Sequence, residues 1–71
     1  MTIGEVLNLF EKSYDMIIKV YDNDKVYYHM PMRDMAKKLT LDAYLDFHFW
    51  DVEEYRYDNP TLYLHVKGVS V

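Results

Sequence analysis

The chain contains no cysteine. That absence removes the disulfide scaffold, the thiolate nucleophile and the cysteine-ligated zinc finger together. Glycine and proline number two each, so no Gly-rich loop can cradle a phosphate and no low-complexity linker divides the chain. No uninterrupted apolar run exceeds three residues, so no membrane-spanning helix and no membrane partner is expected. No basic segment precedes an apolar stretch near the N-terminus, so no signal peptide is expected and the expected compartment is cytoplasmic. What remains is 71 residues, 51% apolar and 17% aromatic. Those proportions describe a folded chain, not a disordered one. The length supports one core, hence a single domain over residues 1–71. A domain of this size buries only about 60% of its unfolded surface, so its stability is marginal.

The net charge of -4 is unevenly placed. Residues 1–38 balance six acids against six bases, whereas residues 39–71 carry six acids and only Arg56 and Lys67. All six of those acids (Asp42, Asp46, Asp51, Glu53, Glu54 and Asp58) fall within 42–58. Affinity for phosphates comes from lysine and arginine, so direct nucleic-acid binding is not expected of such a surface. Its expected partner is a protein with a basic surface.

Periodicity assigns the elements. Thr2 to Glu5 fits a capping box, and Ile3, Val6, Leu7 and Phe10 then form one helical stripe over about 3–12. Residues 15–21 alternate as a strand, with Met16, Ile18 and Val20 on one face. Asp22-Asn23-Asp24 is turn chemistry, and residues 25–30 return as the second arm of a hairpin that Pro31 ends. Met32, Met35, Ala36 and Leu39 mark a second short helix over about 32–39. Thr40 either stops it or caps another turn. Residues 47–57 read as a long aromatic strand whose phase slips, which a bulge near 50–54 would reconcile. After a turn at 58–61, Leu62, Leu64 and Val66 mark the last strand, and 68–71 reads as a frayed tail. The expected fold is α+β in order α-β-β-α-β-β, a two-layer arrangement with two short helices on a four-stranded antiparallel sheet. Phe10, Ile18, Leu39 and Leu64 are expected in the core, each costing about 2–5 kcal/mol on truncation to alanine.

Candidates for chemistry are few. His29, His48 and His65 each fall on a different expected strand, and no pair has metal-ligand spacing, so no metal site is expected. Asp51 and Glu53 have the types of acid and base but need a cleft, which a small two-layer fold rarely encloses. No catalytic residue, no cofactor and no enzyme activity is expected.

Tyrosine is the informative residue, at eight of 71. If the apolar strand faces meet the helices, then Ile17, Tyr21, Tyr27, His29, Tyr63 and His65 face away from them. That face has three readings: ordinary strand composition, a protein interface that pairs with itself or with another chain, or a stacking platform for single-stranded nucleic acid. The acidic segment has two: a solubilising surface, or imitation of phosphates by Asp51 and Glu53, about 7 Å apart along a strand. The candidate partner-binding residues are therefore Asp51, Glu53, Glu54 and Asp58 on the acidic side, and Tyr27, Tyr63 and Trp50 on the aromatic side.

The turn Val20-Tyr-Asp-Asn-Asp-Lys25, with a short helix before its strand and a helix and terminal hairpin after it, resembles small acidic proteins encoded by phages and mobile elements of Firmicutes. Anti-CRISPR proteins, which bind a host effector nuclease, are of this sort. The resemblance implies a non-enzymatic binding protein; together with the acidic second half and the missing catalytic motifs, the expected function is a phage-encoded, anti-CRISPR-like inhibitor that binds a basic groove of a nucleic-acid-processing host protein. The resemblance assigns no role to any single residue. The alternative is a self-associating structural or accessory protein, a homodimer through the tyrosine-rich face.

Overall fold

The computed structural model describes residues 1–10 and 15–67. Its elements are α1 (Ile3–Leu7), β1 (Ile17–Tyr21), β2 (Val26–Pro31), α2 (Met32–Lys38), α3 (Leu41–Phe47), β3 (Val52–Asp58) and β4 (Thr61–Val66). The four strands form one sheet in the order β2-β1-β4-β3. The fold is α+β in two layers, as the periodicity predicts. The first helix ends at Leu7, with Asn8 as its C-cap, and does not run over the expected 3–12: residues 8–10 form turns. Residues 11–12 and the expected frayed tail at 68–71 lie outside the described residues.

Three expectations need correction. First, the sheet is mixed, not purely antiparallel: β1 pairs antiparallel with β2, and β3 with β4, but the central pair β1 and β4 is parallel. The two most regularly apolar strands take the centre, where each has a neighbour on both sides. A period of two is the same for parallel and antiparallel neighbours, so the pattern carries no direction.

Second, the described residues form three helices, giving the order α-β-β-α-α-β-β. Leu39 is extended and breaks the helical run, and the Thr40 hydroxyl then accepts from the Ala43 amide at 3.2 Å. That N-cap restarts the helix as α3. Third, the aromatic run from Phe47 is not one strand. Phe47 ends α3 fully buried, two i→i+3 turns carry the chain through Trp50, and β3 begins only at Val52. High strand propensity at Phe47 loses to the full burial available on the helical side, and Phe49, which stays exposed, follows with Trp50 in the turn.

The core lies between the helices and the inner sheet face. Ile3 and Val6 of α1, Met35 of α2 and Phe47 of α3 pack on Ile18, Val20, Leu62, Leu64 and Val66. Ile18 and Leu64 are fully buried as expected, whereas Phe10 and Leu39 are only partly buried against the rim. Phe10 packs on Tyr57 and Tyr55, with ring centroids 5.3 and 6.1 Å away, and so covers the outermost strand rather than the centre.

The expected capping box at Thr2 and Glu5 is present in both directions. Its hydrogen bonds from Thr2, backbone first and hydroxyl second, hold the Glu5 carboxyl below the usual range. The next two amides of α1, those of Ile3 and Gly4, donate to the carbonyls of Trp50 and His48. The end of α3 thereby supplies acceptors to the start of α1, which would otherwise have unpaired donors. Gly4 permits that approach: a Cβ there would sit 3.2 Å from the His48 carbonyl oxygen.

Candidate functional site

The three helices of the described residues pack on one side of the sheet, and no described helix covers the other face. Cross-strand register places Lys19 opposite Tyr63 and Tyr21 opposite His65 on that face, with Arg56 opposite Tyr63 on its far side. The alternation of buried and half-buried residues along β1 and β4 confirms the facing. Lys19 Nζ stands 5.7 Å from both the Tyr21 and the Tyr63 ring centres, and the Arg56 guanidinium 4.5 Å from Tyr63. The aromatic face is therefore capped by its own cations. Arg56 and Lys19 were missed by sequence reasoning. Their parity along the strands was the available signal, but pairing them with Tyr63 requires the sheet order.

His65 anchors one end of this face. Its ring packs on Tyr21 at 5.2 Å, its Nδ1 lies 3.2 Å from a Glu53 carboxylate oxygen, and its Nε2 lies 3.2 Å from the Asn23 side-chain oxygen. Three segments meet there: the β1–β2 turn, β4 and the start of β3. The meeting is possible because Glu53 is the extra residue of a bulge, inserted between the pairs Val52–Val66 and Glu54–His65. This is the phase slip legible in the sequence.

The aromatic candidates do not act together. Tyr63 is on the open face, but Tyr27 and Trp50 belong to a cluster on the helical side. Trp50 stacks on Tyr28 at 5.8 Å and meets Tyr27 edge-on at 5.3 Å, and Tyr28 in turn meets Phe47. Tyr27 is thus not part of the open face as expected, because the register shifts between Val20 and Tyr21 and β2 turns with it. The Tyr27 hydroxyl also donates to Asp22 at 2.5 Å. With the amides of Asp24 and Lys25 it holds the Asp22 carboxyl below its ordinary range, the tyrosine being the largest cause.

The acidic candidates do gather. Every residue of β3 after Val52 is exposed, and β3 is an edge strand. Glu54 and Asp58 project with Arg56 on the open face, Glu53 stands on the bulge beside them, and Asp51 precedes the strand in an isolated bridge to Thr2. Among the described residues Asp51, Glu54 and Asp58 make no ion pair. The expected pair of carboxylates on one regular strand is not found: Asp51 lies outside β3 and the bulge breaks the alternation at Glu53. Two shallow hollows flank this edge. One, of about 340 Å³, is bounded by Met1 and Glu53; the other, of about 250 Å³, by Tyr21 and Arg56, with Glu54 shared between them. The bulge and the charges also make β3 a poor template for edge-to-edge aggregation.

The histidines are apart. His29 is exposed on the outer strand β2, His48 caps α3 on the helical side instead of lying on a strand, and His65 is on β4. Among the described residues no three His, Asp or Glu side chains converge as a ligand set. No described helix is long and apolar enough to cross a membrane. Comparison with protein-family profiles, with curated proteins and with solved structures finds no match.

Proposed function

We propose that this protein is a non-enzymatic binder that docks its β3 edge on a basic surface of a protein partner. One observation carries the reading. An outer strand, exposed along its whole length after Val52, presents Glu53, Glu54 and Asp58 with Asp51 at its head. Its single base is drawn over Tyr63 and not onto those acids. Asp51, Glu54 and Asp58, which make no ion pair among the described residues, are available to an external cation, while Glu53 already meets His65; the field of several carboxylates together speeds and orients encounter with a basic surface. The acids are irregularly spaced, so the reading rests on charge and not on a copied phosphate repeat. The resemblance to small acidic phage proteins extends it to an inhibitor, anti-CRISPR-like, occupying a basic groove of a nucleic-acid-processing host protein. Such a protein would act in the host cytoplasm.

A second reading keeps the uncovered sheet face as a homodimer interface. Tyr21 and Tyr63 are half-buried there with no helix over them. Self-pairing through this face would also bury Lys19 and Arg56 and the acids beside them, at a desolvation cost that favours the first reading.

Affinity capture from a bacterial lysate separates the two. The first reading expects a heterologous protein that added salt releases. Recovery of the chain alone, as a dimer, supports the second. A gel shift at low salt with single- and double-stranded probes is expected to show no complex; a clear shift would overturn the charge argument.

A further inference from the structure

The acidic half carries a second surface. Leu41 and Leu45 lie one turn apart on the outward side of α3, 72% and 51% exposed, and Phe49, four residues on in the turn that follows, is 75% exposed. On the inward side of the same helix, Phe47 is fully buried. The helix thus has two apolar sides, and among the described residues only one is covered. A soluble surface helix ordinarily keeps its outward side polar. Three large apolar groups at a spacing of four are instead the anchor pattern of helix-mediated recognition.

Charge decides what fits. Asp42 and Asp46 stand beside the stripe, and Asp51, Glu53 and Glu54 follow, with no lysine or arginine anywhere from 39 to 55. A second copy packed by its own stripe would bring a second set of acids to the contact, with no lysine or arginine of residues 39–55 to meet them, since a two-fold contact repeats the same patch. Like charges so juxtaposed oppose binding. A helix with an apolar stripe between rows of lysine or arginine satisfies both the leucines and the acids.

We infer that the Leu41–Leu45–Phe49 ridge is a docking site for a basic amphipathic helix of a partner protein. The helix would lie alongside α3, its apolar side chains between those of the ridge and its cations over Asp42 and Asp46. The inference rests on the reading of the protein as a binder of basic partners, and adds the apolar half of that recognition.

The test is titration of isotope-labelled protein with a synthetic Leu/Lys peptide patterned as an amphipathic helix of about three turns. A scrambled peptide of the same composition is the control. Backbone amide shifts are expected to concentrate in 41–49, and Leu45→Gln or Phe49→Gln is expected to weaken binding by about tenfold or more while leaving the remaining spectrum unchanged. Both positions are exposed, so the fold survives the change. Equal binding of the scrambled peptide, shifts centred on β3, or unchanged affinity in both variants would overturn the inference. So would self-association of the free protein that Leu45→Gln abolishes, because the occupant would then be a second copy. Such a failure is distinct from failure of the β3 reading, which is tested by neutralising Glu53 and Glu54, off the ridge.

Discussion

The two faces of the sheet are built from the same strands and behave as different materials. On the inner face Ile18, Val20, Leu62, Leu64 and Val66 are almost wholly removed from water. On the outer face their immediate neighbours Lys19, Tyr21, Tyr63 and His65 stay half-exposed and are held by ring, cation and hydrogen-bond contacts. The inner face derives its stability from area, at about 25 cal/mol per Å² of apolar surface buried. The outer face relies on contacts worth about 0.5–1 kcal/mol each at exposed sites. Stability and recognition are therefore separable here, and substitutions should sort by face.

The largest effect should come from the inner face. Phe47→Ala removes a fully buried ring and is expected to cost about 3–5 kcal/mol. A small domain has about 5 kcal/mol to lose, so the variant should show little cooperative melting by circular dichroism. Phe10→Ala and Leu39→Ala, at partly buried rim positions, should melt earlier than wild type yet still cooperatively. If they unfold the chain as Phe47→Ala does, the boundary between core and rim is misplaced.

On the outer face, Tyr63→Ala removes the ring that Lys19 and Arg56 share. The expected loss is about 1–2 kcal/mol, read from urea midpoints. Thr2→Ala, which opens the capping box, is expected to cost about 1 kcal/mol by the same measurement.

A smaller and pH-dependent effect belongs to Asp22. Its carboxyl is held below the ordinary range by Tyr27 and two amides. A depressed folded value means that the carboxylate's contribution is present above the unfolded value and is lost as pH falls through the folded one. Asp22→Asn should therefore melt below wild type at neutral pH, with the gap closing from about pH 4 downward. A gap that is constant across that range would mean that the charge on Asp22 is not what holds the turn.

Much of the inner face was legible in the sequence and much of the outer was not. Alternation at Ile18, Val20, Leu62 and Leu64 declared β1 and β4, because burial on one face imposes period two. The phase slip before Tyr55 declared the bulge at Glu53. Residues 41–50 misled because LDAYLDFHFW is apolar on two sides of a helix, and its aromatics suit strands equally well. Only the tertiary contacts of the core cluster decide that Phe47 points inward. The acidic candidates were visible as composition, whereas their separation from Tyr27 and Trp50 depends on a register shift that no local pattern records.

The smallest effect on stability, and the largest on binding, should come from neutralising β3. The variant carrying Asp51→Asn, Glu53→Gln, Glu54→Gln and Asp58→Asn should fold as well as wild type, since clustered like charges repel. Capture from a bacterial lysate on wild type and on this variant, eluted by a salt step from about 0.05 to about 0.5 M, is the most direct test. A partner that wild type holds at low salt, that salt releases, and that the neutral variant fails to retain is the predicted result. A partner retained through both salt and neutralisation, and lost instead with Tyr63→Ala, would contradict it.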